Sequence, residues 1–187
     1  MKHTENREKF IYCLEGNWNK HPKSRQSIKP ILDLLYTFSK VKYIYRKCST
    51  KDEFIKGLQI FTQKRYSKYT VLYIAYHGRK NRICFGNEDI TLKEIANVLE
   101  GKLNGKIVHF GSCLTLNTTE KNITDFITRT GCSLISGYQK NIEYIDSTAF
   151  DLLYFETIQH YYSYSKIKTI VSKKYSSLIE MLRFYTE

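Results

Sequence analysis

The sequence contains no apolar run long enough to span a bilayer, and after Met1 its residues 2–9 are all polar or charged. A membrane-spanning helix needs about 20 apolar residues, and a secretory signal peptide needs an apolar stretch close to its start. We therefore expect a protein that is soluble, keeps its amino terminus and does not associate with membranes.

The five cysteines include no Cys-x-x-Cys pair, which removes the usual basis for a zinc site. Their scattered positions are not typical of a disulfide framework, so a reducing cytoplasm is the expected compartment. Four of them fit the pattern of free cysteine as a small buried hydrophobic residue: Cys13, Cys48, Cys84 and Cys132. We expect neither a metal nor another cofactor.

Acidic residues are few, because 18 Asp and Glu face 30 Lys and Arg and give a net charge of +12. Such a balance invites comparison with nucleic-acid-binding proteins. The lysines are spread along the whole chain, however, and no zinc-finger spacing or RNP-type aromatic motif occurs. A basic nucleic-acid-binding module is thus the least favoured function, and nucleic acid is not an expected partner.

Hydrophobic residues make up 42% of the 187 residues, which is enough for one domain with a sizeable core. Strand-like and helix-like segments alternate without a linker or an internal repeat. This order predicts an α/β fold, a three-layer α/β/α sandwich with a mostly parallel central sheet. We assign residues 1–187 to a single domain, with a core at about 9–162 and a C-terminal helix at about 166–183.

Local signals place the elements of this fold. A helix is expected from Ser24 or Ser27, with Pro30 in its first turn. The next helix is expected to start at a capping box, either Ser49 with Asp52 or Thr50 with Glu53. The remaining expected elements are strands at 10–14, 43–46 and 132–138, two strands ending at His77 and Cys113, a hairpin within 82–92, a helix capped by Thr91 and Glu94, a short helix around 123–127, and a helix at about 147–161.

Two of these strands end at residues whose side chains can take part in catalysis. The apolar run 71–78 ends in His77-Gly78, and the run 107–113 ends in Gly111-Ser112-Cys113. Parallel strands buried on both faces have such near-continuous apolar sequences, and their carboxyl ends share one crevice. A right-handed crossover through the intervening helix would place both strands in one sheet. An imidazole and a thiol would then meet at one sheet edge.

Cys113 is the candidate nucleophile, since a thiolate attacks carbonyl carbon readily. His77 is the candidate general acid or base, because its ordinary pKa suits proton transfer near neutrality. The backbone N–H groups of Gly78 and Cys113 are candidate donors to an oxyanion. His109 lies inside a strand and is expected in the core.

Further residues are candidates for substrate binding. The side chains of Glu15, Glu143 and Asp146 would supply negative charge to a pocket, although solvated loop positions are the simpler interpretation of each. Asp146 would face the crevice or cap the following helix. Trp18, in the loop after the first strand, is a fourth candidate.

The motifs at His77 and Cys113 resemble those of the caspase-like cysteine peptidases of clan CD, and within them the bacterial CHAT-type branch. That family has one strand ending in His-Gly and a later strand ending in a small residue before Cys, here His77-Gly78 and Ser112-Cys113. The intervening hairpin and helix at 82–95 and the sequence Cys113-Leu114-Thr115 are similar to the family layout. The resemblance covers about residues 9–162.

The resemblance implies a caspase-like fold and a cysteine endopeptidase, in which Cys113 attacks a peptide carbonyl and His77 assists proton transfer to the leaving amine. In several members an acidic residue after the fifth strand binds a basic P1 side chain, and Asp146 matches that position. The caspase sequence Q-A-C-[RQG]-G is absent, so Asp at P1 is not implied. The resemblance also implies a peptide or protein substrate, an activating partner protein or small-molecule signal, and a role in bacterial stress or antiphage defence.

The alternative is a catalytically silent member of the same fold that acts as a sensor or scaffold. The sequence shows no cleavable activation linker, and the bulky Tyr76 directly precedes His77. Both features are compatible with a silent site.

Overall fold

The computed structural model describes residues 9–19, 23 and 25–187. Strands and helices alternate along these residues as the hydrophobic periodicity predicts. Their bounds are β1 (Phe10–Glu15), α1 (Lys29–Ser39), β2 (Tyr43–Lys47), α2 (Lys51–Phe61), β3 (Tyr69–Ala75), β4 (His77–Arg79), β5 (Arg82–Phe85), β6 (Glu88–Thr91), α3 (Leu92–Val98), β7 (Ile107–Phe110), α4 (Glu120–Thr130), β8 (Leu134–Tyr138), α5 (Tyr144–Gln159), α6 (Tyr164–Lys174), α7 (Ser176–Leu182) and β9 (Phe184–Thr186).

The central sheet has six strands in the order β2-β1-β3-β7-β8-β9. All neighbouring pairs are parallel except β8 with β9, which is antiparallel. Every residue of β1, β7 and β8 is buried, as expected for parallel strands covered on both faces. The predicted mostly parallel sheet is therefore confirmed.

Two separate hydrophobic clusters cover the two faces of the sheet. One holds the apolar side chains of α2, α3 and α4, and the other those of α1, α5, α6 and α7. Alternate residues of β1 divide between them, Tyr12 and Leu14 in the first and Ile11 and Cys13 in the second. These layers confirm the predicted α/β/α sandwich.

Both capping boxes form as the sequence predicts. Thr50 with Glu53 caps α2, and Thr91 with Glu94 caps α3, each with the reciprocal pair of side-chain hydrogen bonds. Helix α1 begins at Lys29 with a proline in its first turn. Of the two proposed starts, Ser27 lies just before this helix, whereas Ser24 falls outside the described residues.

The C-terminal segment differs from the single helix expected at about 166–183. It forms two helices, α6 and α7, separated at Tyr175, whose φ of −124° departs from helical geometry. Arg183 then adopts a left-handed conformation (φ 45°), which ends α7 and turns the chain into β9. The apolar pattern of 167–182 could not reveal this break, because one buried face continues through both helices.

Chain connections diverge at the carboxyl ends of β1 and β3. From β1 the chain passes through α1 to β2 on one side, and from β3 it passes through α3 to β7 on the other. The two helices cover opposite faces. Such a switch point opens a crevice at the strand ends, where α/β proteins bind their ligands. The residues after β1 and β3 thus flank the crevice.

Candidate active site

His77 and Cys113 are brought together by the register of two neighbouring strands. In the parallel pair β3–β7, Ile74 lies opposite Phe110, and each candidate residue follows three positions later in its own chain segment. Both side chains line one small cavity of about 170 Å³. The two residues thus lie at one cavity beyond the strand ends, since β3 stops at Ala75 and β7 stops at Phe110.

The two segments touch through their backbones at Gly78. A methyl group built on Gly78 would lie 2.3 Å from the carbonyl oxygen of Cys113 and 2.4 Å from the hydroxyl of Thr115. Only a residue without Cβ permits this approach. Gly78 therefore fixes how closely the strand carrying His77 approaches the turn carrying Cys113.

The Cys113 thiol is partly exposed and is held against the loop that follows β8. It donates to the carbonyl oxygen of Ile142 (3.6 Å) and accepts from the N–H of Ile142 (3.5 Å). The next residue, Leu114, has a φ of 60°, which is uncommon for a residue with a side chain. This bend turns the chain sharply at the thiol.

One ring nitrogen of His77 is already bound. Nε2 lies 2.7 Å from the carbonyl oxygen of Trp18, and a carbonyl can only accept, so Nε2 carries the proton. In the neutral ring the lone pair then resides on Nδ1, the nitrogen that can take a proton from a thiol. The Trp18 indole also packs edge-on against the imidazole, with centroids 5.4 Å apart.

Trp18 is in turn held by the buried carboxylate of Glu15, which is 1% exposed. One oxygen of Glu15 accepts from the Trp18 indole N–H and from the Ile28 N–H, and the other accepts from the hydroxyls of Ser27 and Tyr45. Four donors occupy this carboxylate. Its geometry therefore suits positioning of Trp18 more than contact with a substrate.

The other two acidic candidates lie on the surface at the start of α5. Glu143 is the N-cap residue and Asp146 is in the first turn, and both are exposed. Asp146 therefore contributes to the N-terminal turn, where negative charge favours the helix dipole, but it does not cap the helix. Neither carboxylate is in the wall of the cavity beside Cys113.

The backbone N–H of Cys113 is available to an oxyanion. Within residues 9–19, 23 and 25–187, it forms no hydrogen bond to a backbone or side-chain acceptor. An N–H beside the nucleophilic sulfur is where charge on an attacked carbonyl oxygen would develop. The matching role of the Gly78 N–H stays a prediction.

A second and larger cavity, of about 470 Å³, is also lined by His77. Trp18, Tyr76 and His77 belong to both cavities, whereas Arg79, Cys84 and Phe85 belong to the larger one alone. Cys84 stands directly opposite His77 in the β4–β5 pair. His77 thus lines both cavities, of which only the smaller is also lined by Cys113.

Burial raises the pKa of the other four thiols, those of Cys13, Cys48, Cys84 and Cys132. A raised pKa lowers the thiolate fraction and with it the reactivity at neutral pH. Three of these residues are buried as predicted. Cys84 differs, because it belongs to the small β4-β5-β6 sheet and faces the larger cavity.

A buried polar cluster beneath the site was not foreseen from the sequence. Asp151 on α5, 2% exposed, accepts from the hydroxyls of Tyr73 and Tyr138 and from Nε2 of the buried His109. The cluster touches the site, since a methyl group on Gly111 would lie 3.1 Å from Asp151 Oδ2. We call these residues, with two further buried hydroxyls, the Asp151 cluster: Tyr73, His109, Ser136, Tyr138, Asp151 and Tyr154.

The Asp151 cluster should make the protein sensitive to alkali. Burial, reinforced by the charge of Asp151, raises the pKa of Tyr73 and Tyr138 well above the ordinary 10.0. Above about pH 10 the unfolded chain ionises these phenols and the folded chain does not, so stability is lost as pH rises. The free energy of unfolding should fall by about 1.4 kcal/mol for each tyrosine between pH 9 and 11, with the slope steepening above pH 10.

Urea unfolding between about pH 9 and 11 measures this slope, with the m-value as a check that the same transition is followed. A free energy of unfolding that stays level across this range would contradict the protected state of the two phenols.

Comparison with known proteins assigns the chain to a family. A family described as "Family of unknown function (DUF6642)" matches residues 8–186. The chain belongs to the DUF6642 family. No curated protein matches it. The DUF6642 match spans both cavities and the Asp151 cluster, so the site described above lies wholly within the family's extent.

Two further features concern binding and location. Among the described residues, no group of three or more His, Cys, Asp or Glu side chains is arranged to hold a metal ion. None of the helices in the described part of the chain combines the length and apolar character needed to cross a membrane.

Proposed function

We propose that the protein is a cysteine endopeptidase that uses Cys113 as nucleophile and His77 as general acid and base. The observation that carries the proposal is the shared cavity: a thiol and an imidazole, held by neighbouring strands, line one space. His77 is further oriented by the Trp18 carbonyl oxygen, which accepts from Nε2. This leaves Nδ1 to take the thiol proton. Covalent catalysis is expected to use a nucleophile, a base beside it and a third group that orients the base.

The proposed reaction begins when Nδ1 of His77 takes the thiol proton and the Cys113 sulfur bonds to the peptide carbonyl carbon. The carbonyl oxygen becomes an oxyanion, which the Cys113 N–H stabilises. The C–N bond then breaks as His77 gives its proton to the leaving amine. Water, deprotonated by the same ring, hydrolyses the thioester and restores the free thiol.

Reactivity of individual thiols tests the proposal. A peptidyl acyloxymethyl ketone should alkylate Cys113, as seen by mass-spectrometric mapping of all five cysteines. Cys113→Ala should abolish labelling, whereas Cys84→Ala is the matched control, since it removes a thiol from the neighbouring cavity and should leave Cys113 labelled. Labelling of Cys84 with Cys113 unmodified would overturn the assignment.

The alternative is a catalytically silent sensor or scaffold. The bulky Tyr76, directly before His77, is compatible with this alternative in the sequence. That side chain is 1% exposed, its hydroxyl donates to the Cys48 carbonyl, and its ring packs on Phe54 and Phe85. Tyr76 is thus held in the core as part of the cavity wall. An unreactive Cys113 would favour the silent alternative.

The biological setting belongs to the same proposal. A peptide or protein is the substrate, the cytoplasm is the compartment, and an activating partner protein or small molecule supplies the signal. A role in bacterial stress or antiphage defence follows from the caspase-like resemblance. Cleavage after a basic P1 residue stays a prediction of that resemblance.

A further inference from the structure

The two cavities that flank His77 differ in what they can receive. The attacked carbonyl carbon must reach the sulfur of Cys113, and the P1 side chain branches from the carbon next to it. Of the two cavities, only the smaller is lined by Cys113 and therefore adjoins the position of the attacked carbonyl.

The walls of the smaller cavity carry no formal charge among the described residues other than any on His77 and Cys113. Trp18, Tyr144 and Ile142 provide aromatic and aliphatic surface, and Gln26 and Ser147 provide neutral polar groups. Burial and the charge of Glu15 raise the pKa of Tyr144 to about 12, so its phenol is neutral near pH 7. A charged side chain would lose hydration there without gaining an opposite charge.

The nearby carboxylates do not supply that opposite charge. Glu15 is buried behind Trp18 and already accepts four hydrogen bonds. Asp146 and Glu143 are exposed on α5 and are absent from the cavity wall. The described residues of the wall thus provide no partner for the ion pair that recognition of a basic side chain would require.

From this geometry we infer that the smaller cavity is the P1 subsite and that it selects an uncharged side chain of moderate size. A volume of about 170 Å³ corresponds to about six water molecules, which suits side chains such as those of Leu, Met or Gln. The inference rests on the proposed peptidase function. The inference adds a substrate class, peptides with an uncharged P1 residue. The resemblance implied a basic P1 residue instead.

Four acyloxymethyl ketones that differ only at P1, with Leu, Gln, Arg or Asp, test the inference. The measured quantity is the second-order rate constant for alkylation of Cys113 in the full chain. We expect the Leu or Gln probe to react at least about 30-fold faster than the Arg and Asp probes, because only the charged side chains lose hydration uncompensated. Fastest reaction of the Arg or Asp probe would overturn the inference.

A designed charge provides the second measurement. Ser147→Asp places a carboxylate in the cavity wall within the N-terminal part of α5, where a negative charge is tolerated. The Arg-probe rate should then rise at least about tenfold, and Ser147→Asn, of equal size without charge, should show no such rise. An unchanged Arg-probe rate in Ser147→Asp would contradict placement of the P1 side chain here.

Asp146→Asn separates this inference from the expectation of a basic P1 residue. With Asp146 outside the wall, the ratio of Leu to Arg probe rates should stay within about twofold of the unmodified chain. Selective loss of Arg-probe labelling would overturn the inference and support Asp146 as the P1 partner. Failure of all four probes to label Cys113 would instead overturn the proposed function, and this inference with it.

Discussion

His77→Ala should lower kcat/KM for peptide hydrolysis by a factor of about 10² to 10⁴, the range that a positioned general acid and base contributes. In the proposed mechanism, no other described residue of the shared cavity would take the Cys113 proton and return it to the leaving amine once the ring is removed. Hydrolysis of a fluorogenic peptide, with P1 chosen from the fastest acyloxymethyl ketone, measures the loss.

The fold should survive this substitution, because the His77 side chain is exposed. A change of no more than about 1 kcal/mol in the free energy of unfolding is expected from the lost contact with Trp18. His160→Ala is the matched control: this exposed imidazole pairs with Glu156 on α5 and is remote from both cavities. Hydrolysis that continued in His77→Ala at the rate of the His160→Ala control would exclude the proposed mechanism.

Asp151→Ala should lower the free energy of unfolding by about 3 to 5 kcal/mol. The substitution removes one acceptor that serves three buried donors, the hydroxyls of Tyr73 and Tyr138 and the Nε2–H of His109. Tyr138 keeps a second acceptor, the carbonyl oxygen of Ser147. The other two donors remain in the core without one, and each unpaired donor costs about 1 to 3 kcal/mol.

Urea unfolding measures the change, and Asp125→Ala serves as the control. Asp125 is a surface carboxylate that pairs with Arg129 one helical turn away, and its loss should cost under about 1 kcal/mol. If Asp151→Ala proved no more costly than Asp125→Ala, the carboxylate would not be the organising acceptor of the Asp151 cluster.

Local sequence signals predicted much of the fold. Thr50 with Glu53 and Thr91 with Glu94 mark helix starts because a capping box depends only on residues three apart. His77 and Cys113 were found because each follows an uninterrupted apolar run, and buried parallel strands have that pattern. Placing the two strands in one sheet then needed only the right-handed crossover rule, whereas their register is known from the structure alone.

Other features depend on contacts between distant residues, which periodicity does not encode. Asp151 follows Phe150 in a helix buried on several sides, and its partner His109 is 42 residues earlier. The start of α5 at Tyr144, ahead of the predicted 147, and the break at Tyr175 likewise reflect tertiary packing. One sequence signal did point to the cluster. His109 interrupts an apolar strand, and a buried histidine needs a buried hydrogen-bond partner.

The group that orients His77 is a backbone oxygen, and this has a consequence for genetic mapping. Every residue type at position 18 supplies a carbonyl, so a saturation screen there would keep this acceptor and record only the loss of the indole, which packs on His77 and lines both cavities. The position of the carbonyl should instead be sensitive to substitution of Glu15, whose carboxylate accepts from the indole and from the N–H at the start of α1. In the proposed mechanism, such a screen would therefore detect the orienting oxygen only through the residues that hold its segment in place.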